Sequence, residues 1–208
     1  MIKRLFLLSF ILIFAVKAIA QVNLPVVFEI KTDTTFFQYL NGSQWQMLED
    51  KEGRWTIEQV SRSPLSDKFH KRDTVIQGID TVVKTYWFRF RLKNVMNVPA
   101  KILLDAYFEC DDYYVLDQKG SINHFVTGSD VPCKNKDGLK PRNFIPLTLQ
   151  PGEELLVYDR ASNDKPGMPD VFNLDIASTE KIIQRDFVDN QDDQVNKFYK
   201  LAYFALGF

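Results

Sequence analysis

Trp87, Arg89 and Arg91 fall at every second position of the run Tyr86-Trp87-Phe88-Arg89-Phe90-Arg91-Leu92-Lys93-Asn94. In an extended chain that spacing puts them on one face. A flat indole ring beside guanidinium groups suits the gripping of a polar ligand or of another protein. Phe88, Phe90 and Leu92 take the opposite face, which requires a core. A neighbouring segment over 101–108 sets Asp105 and Tyr107 opposite Ile102, Leu104, Ala106 and Phe108. Sugar recognition needs an aromatic platform with carboxylate or Arg hydrogen-bond partners, so the expected ligand-binding residues are Trp87, Arg89, Arg91, Asp105 and Tyr107, with Arg142 as a further candidate. His124 reads as a half-buried strand residue. The purely structural alternative packs Trp87 under the N-terminal segment and pairs Arg89 with a carboxylate such as Asp105.

No pattern of catalysis accompanies these residues. The chain has no Gly-x-Ser-x-Gly elbow, no glycine-rich phosphate loop and no His-Glu-x-x-His. Asp105, Glu109, Asp111 and Asp112 could supply the carboxylate pair of a glycosidase, but they read as solvated strand-edge and turn residues. Calcium on Asp111, Asp112 and Asp117 matches no loop signature. With no Cys-x-x-Cys and only His70 and His124 to join in, no metal and no cofactor is expected. The reading is a binding module, not an enzyme.

The elements that position these residues are short strands. Val26–Ile30 and Phe36–Leu40 precede an Asn41-Gly42 turn, and Trp45–Asp50 precedes a Glu52-Gly53 turn. Thr56-Ile57-Glu58-Gln59 has the capping-box pattern of a helix that Pro64 keeps short. Residues 61–80 read as a polar surface loop. After Tyr86–Asn94 come Lys101–Phe108, Asp112–Leu116, Ile122–Val126, Phe144–Leu149, Glu154–Tyr158 and Val171–Ile176, with a long loop over 127–143. This series predicts an all-β antiparallel sandwich of jelly-roll or carbohydrate-binding-like type. Of Tyr113 and Tyr114, which alternate between faces, at least one belongs to the core.

The ends differ from the middle. Lys3 and Arg4, the apolar run Leu5–Val16 and Ala18-Ile19-Ala20 make a signal peptide over 1–20, with Gln21 as the mature start and an uncleaved anchor as the alternative. Export makes Cys110 and Cys133 candidates for a disulfide, the alternative being a small buried apolar residue and a loop thiol. Ser178 or Thr179 can cap a helix starting near Glu180. The acidic spacer Asp189–Asp193 leads to Phe198–Phe208, apolar on nearly every side, which reads as the start of a transmembrane helix or else as a terminal helix docked on the core. The expected domains are thus a signal peptide (1–20), a periplasmic sandwich (21–178), and a linker helix entering a membrane span (179–208). Hydrophobic content of 45% and charged content of 25% are those of a globular protein, and a net charge of −1 gives nucleic-acid binding no electrostatic support.

Several of these segments together resemble a known family. Tyr39-Leu40, Leu48-Glu49-Asp50, Gly53, Thr56-Ile57-Glu58-Gln59-Val60, Phe69, Trp87-Phe88-Arg89-Phe90 and Asn94 occur in the order of the type 2 extracellular domain of bacterial seven-transmembrane receptors with diverse intracellular signalling modules. Asp112-Tyr113-Tyr114-Val115-Leu116, Thr127-Gly128, Arg142 and Phe144-Ile145-Pro146-Leu147 continue the likeness over roughly 25–178. The long Cys133–Arg142 loop departs from it. The resemblance implies an exported, periplasm-facing sensor sandwich, associated with the inner membrane through its C-terminal segment, that binds a carbohydrate or other small ligand and works within a receptor, with a receptor dimer among the assemblies it allows. The alternative function is a protein-interaction module that docks a partner domain through the Trp87–Arg89 face.

Overall fold

The computed structural model describes residues 23–32, 37–71, 84–106, 108–139, 143–163, 175–178 and 181. The signal peptide, the C-terminal helix and apolar tail, Tyr107 and Arg142 lie outside the described residues.

Alternation of apolar and polar side chains produces strands nearly where it predicts them. In chain order they are β1 (Val27–Ile30), β2 (Phe37–Tyr39), β3 (Trp45–Asp50), β4 (Thr85–Asn94), β5 (Ala100–Asp105), β6 (Cys110–Leu116), β7 (Ile122–Thr127), β8 (Phe144–Leu149), β9 (Glu154–Ser162) and β10 (Asp175–Ser178). One sheet runs β1-β4-β9-β6-β7, with β3 beside β4, and the other runs β2-β10-β5-β8. The short helix α1 (Ile57–Val60) and a 3-10 turn at Ser66–Lys68 follow β3. The Thr56 amide donates to Gln59 Oε1 at 2.9 Å, as the capping box requires.

β4 is the organising strand. Its Thr85–Phe90 half pairs antiparallel with β3, its Arg91–Asn94 half pairs parallel with β1, and β9 covers its other edge from Thr85 to Lys93. The sandwich is therefore not purely antiparallel, because β1 fills the stretch of β4 that lies beyond the end of β3. Between the sheets Phe88, Phe90, Leu92, Tyr113, Val115 and Val157 meet Ile102, Leu104, Ile145, Leu147, Leu149 and Ile176. Asn94 ends β4 inside the protein, donating from Nδ2 to the Val98 and Leu149 carbonyls at 2.8 and 3.0 Å.

The outer face of this sheet departs from the expected polar surface. A second apolar cluster of Leu48, Ile57, Val60, Phe69, Trp87 and Tyr158 covers it. The covering layer is α1 with the segment that follows, in which 61–71 is largely exposed, as a surface loop would be, but turns Ser66 and Phe69 inward. Phe69 is buried, and His70 exchanges backbone hydrogen bonds with Met47 on the free edge of β3. The apolar residues responsible are too few for periodicity to reveal. Ser178 Oγ accepts the Lys181 amide at 3.2 Å, the arrangement of an N-cap.

Candidate functional site

Of the residues expected to bind a ligand, Trp87, Arg89 and Arg91 are held by the protein itself. Trp87 and Arg89 are fully buried. Trp87 stacks on Tyr114 with ring centroids 5.8 Å apart. Arg89 donates from Nε to Gln46 Oε1 at 2.7 Å and from Nη2 to the Asn23 carbonyl at 2.9 Å, and its guanidinium lies over the Phe69 ring. Burial lowers the Arg89 pKa from its ordinary value, and the neighbouring Tyr158 opposes that shift. Trp87 therefore packs under α1, not under the N-terminal segment, and Arg89 pairs with amide oxygens, not with Asp105.

Arg91 is half-buried and ion-paired with Glu154, whose Oε1 accepts from Nε at 2.9 Å and also from Nη2. Asp105 is on β5, in the other sheet, paired with Phe144 of β8. The sandwich thus separates Asp105 from Trp87, Arg89 and Arg91. Sequence alternation fixes the face a residue takes on its strand but not which sheet that strand joins.

Cys110 and Cys133 are not joined by a disulfide. Backbone bonds from Ser129 and Asp130 to the Phe108 and Glu109 carbonyls hold the start of the loop against β6, whereas Cys133 sits further on in an exposed turn. Burial, then the nearby Asp112 and Asp111, push the Cys110 thiol above its ordinary pKa. Asp111, expected to be solvated, is instead buried. It lies on the inner face of β6 with Tyr113 and Val115, because alternation from the core Tyr113 carries it inward.

On the outer face of β6 and β7, His124 stacks on Tyr114 at 4.4 Å with ring planes 7° apart. His124 Nε2 and Asp112 Oδ1 are 3.0 Å apart, and Arg160 donates to Asp112 Oδ2 at 3.3 Å and to the Gly53 carbonyl at 2.9 Å. Trp87, Tyr114 and His124 thus form a row of rings running out from beneath α1 towards solvent.

The open space lies beside this cover. A cleft of about 650 Å³ runs between the end of β3, the turn after it and the 3-10 turn, lined among others by Glu49, Glu52, Arg54, Trp55, Lys68 and His70. Its geometry is set by Asp50. The buried Asp50 carboxylate accepts the Arg54 amide at 3.2 Å and the Trp55 amide at 2.9 Å. Gly53, at φ +63°, provides the left-handed residue the turn needs. Trp55 is thereby held half-buried against the outer cluster with part of its ring on the cleft. Arg54 and Glu52 form an exposed ion pair at the rim. An indole with carboxylates, an ammonium, a guanidinium and an imidazole around it is the platform-and-partner arrangement that the sequence predicts on β4. A second recess of about 320 Å³ along β1 is lined by Glu29, Lys31, Gln38 and Gln44, with Phe28 as its aromatic residue. Phe28 is buried, so this recess offers no ring to a ligand.

None of the cleft residues stands out in the sequence as a ligand contact, although Leu48-Glu49-Asp50 and Gln59 carry the family likeness. Trp55 is the one partial signal, a large aromatic immediately before an N-cap and in no strand.

No curated protein matches the chain. Among the described residues no helix is long and apolar enough to cross a membrane. The family model described as 7TMR-DISM extracellular 2 matches residues 42–171, a stretch that runs from the turn before β3 through the cleft to beyond β9. With more than half of its length in that match, the chain belongs to the 7TMR-DISM extracellular 2 family, the extracellular domains of membrane receptors.

Proposed function

We propose that the domain is the extracytoplasmic ligand sensor of a bacterial signalling receptor, and that it binds a carbohydrate or another small polar ligand in the Trp55 cleft. The observation that carries this reading is the cleft itself: about 650 Å³, within the usual size of a small-ligand site, with one accessible indole among charged and hydrogen-bonding side chains. The remaining tryptophans, Trp45 and Trp87, are buried in the two apolar clusters.

The role is binding, not catalysis. Of the carboxylates at the cleft, Glu49 and Glu52 flank a strand end and Asp50 is buried and bonded to the turn amides, while the closely placed pair Asp111 and Asp159 is sealed inside the sandwich. Signalling needs a ligand that favours one arrangement of the protein over another. The cleft walls include the segment that Arg89 and Trp87 lock to β4, so a ligand wedged there acts directly on the fit of that cover.

A thermal-shift screen of the full chain against mono- and oligosaccharides and small polar metabolites tests this. A binder at a hundredfold over its Kd stabilises the protein by about 2.7 kcal/mol, which is about 5–11 °C in Tm for a chain of this size. A panel without a single stabilising compound argues against the ligand reading and leaves the protein-docking role in its place.

A further inference from the structure

We propose that Asp111 and Asp159 form a proton-holding pair inside the sandwich, a pH-responsive device built into the joint between β6 and β9. Both side chains are buried and both lie on the inner face of their sheet, Asp111 with Tyr113 and Val115, Asp159 with Val157 and Ala161. Across the β6·β9 ladder Asp111 is opposite Ala161 and Asp159 is opposite Tyr113, which makes the two acids diagonal neighbours. Such neighbours are about 7–8 Å apart at the backbone, within reach of each other's charge.

Among the described residues, the groups around the pair offer no counter-charge. β4 contributes Phe88 opposite Asp159 and Tyr86 opposite Ala161, and β7 contributes Thr127 opposite Asp111. Tyr113 donates its hydroxyl to the Asp105 carbonyl at 3.2 Å. Cys110 and Asp112 flank Asp111 along β6, and Asp105 ends β5 nearby. Arg160 follows Asp159 in sequence but lies on the outer face, engaged with Asp112 and Gly53. Among the described residues, Asp111 Oδ2 accepts the Phe108 amide at 3.0 Å, while Asp111 Oδ1, Asp159 Oδ1 and Thr127 Oγ1 have no hydrogen-bond partner.

Two buried carboxylates without a cation are far cheaper to neutralise with a proton than to leave charged. Among the described residues no group of three or more His, Cys, Asp or Glu side chains is placed to hold a metal ion. Burial, with Asp112 and Asp105 adding repulsion, pushes Asp111 up to about 8. Asp159 moves well upward in the same sense through burial and then through Asp111 and Asp112.

The folded state therefore holds protons that the unfolded chain releases, since unfolded carboxylates ionise in their ordinary range near 4. The stabilisation is complete below that range and is lost as pH rises towards about 8, where Asp111 ionises in the fold. A sensor facing the medium would on this account loosen at its β6–β9 centre in alkaline surroundings.

Urea unfolding of the full chain from pH 5 to 9 tests the pair, comparing wild type with Asp159→Asn, Asp111→Asn and the exposed control Asp130→Asn. The wild-type unfolding constant should rise with pH, by up to about tenfold per pH unit for each proton held. Asp159→Asn should flatten that slope by about one proton and exceed wild type in stability at pH 9, while Asp130→Asn keeps the wild-type slope. A wild-type stability that is flat or rises over this range, or an Asp159→Asn slope equal to wild type, would overturn the proposal. Should Asp111→Asn fail to fold, the infrared C=O band of a protonated carboxyl at pH 7, present in wild type and reduced in Asp159→Asn, decides in its place. Stabilisation of wild type but not of Asp159→Asn by calcium, magnesium or potassium at pH 8.5 would also overturn it, by giving the site to a cation.

Discussion

The Arg89 guanidinium lies over the ring of Phe69, 4.2 Å from its centroid, and this contact joins the middle of β4 to the segment that covers it. Facing water, the same Arg would be a ligand-binding candidate. Under Phe69 it closes a second core on the outer side of the sheet.

Removing that lid should be costly. Phe69→Ala deletes a buried ring that also contacts Tyr158 edge-on at 5.9 Å. The expected loss is about 3–4 kcal/mol of unfolding free energy, accompanied by greater acrylamide quenching of Trp87. Denaturant titration reads the first effect, and an acrylamide titration of the folded protein's fluorescence reads the second.

Asn94 bridges the ends of three segments, since its Oδ1 also accepts the Met96 amide at 2.9 Å. Asn94→Ala leaves the buried Leu149 carbonyl short of this donor and should cost about 2–3 kcal/mol. Asn97→Ala, exposed in the same turn, should stay within about 0.5 kcal/mol of wild type.

Gly128 has φ +130°, and a Cβ there would overlap the Glu109 carbonyl. Gly128→Ala must move backbone on both sides of the contact, and a loss above about 2 kcal/mol is expected in the same titration.

The thiols offer a chemical check. With no bond between Cys110 and Cys133, dithiothreitol should leave Tm unchanged. A thiol reagent should modify exposed Cys133 quickly and half-buried Cys110 slowly, because burial and neighbouring carboxylates disfavour its thiolate. A drop in Tm on reduction would restore the disulfide.

Strand positions were legible because Phe88, Phe90 and Leu92 alternate over a core, and Trp45–Asp50 and Phe144–Leu149 form with the bounds read from sequence. The capping box at Thr56 was legible for the same local reason. What sequence could not show was the partner of each face. Trp87 and Arg89 alternate like a solvated strand face, yet Ile57, Val60 and Phe69 arrive from a short helix and an irregular segment to bury them. Asp111 reads as a solvated acid and Asp159 falls just beyond the strand predicted over Glu154–Tyr158, until strand parity, fixed by Tyr113 and Val157, turns both inward. The Trp55 cleft depends on the turn that Asp50 holds together, a contact of carboxylate with backbone that leaves no periodic trace.

The most direct test is isothermal titration of the full chain, wild type against Trp55→Ala, with the best ligand from the thermal-shift screen and with Arg91→Ala as the control outside the cleft. The expected result is one-site binding weakened by about 30-fold, or roughly 2 kcal/mol, in Trp55→Ala and unchanged in Arg91→Ala. Equal affinity of wild type and Trp55→Ala would contradict the account and place the ligand elsewhere on the domain.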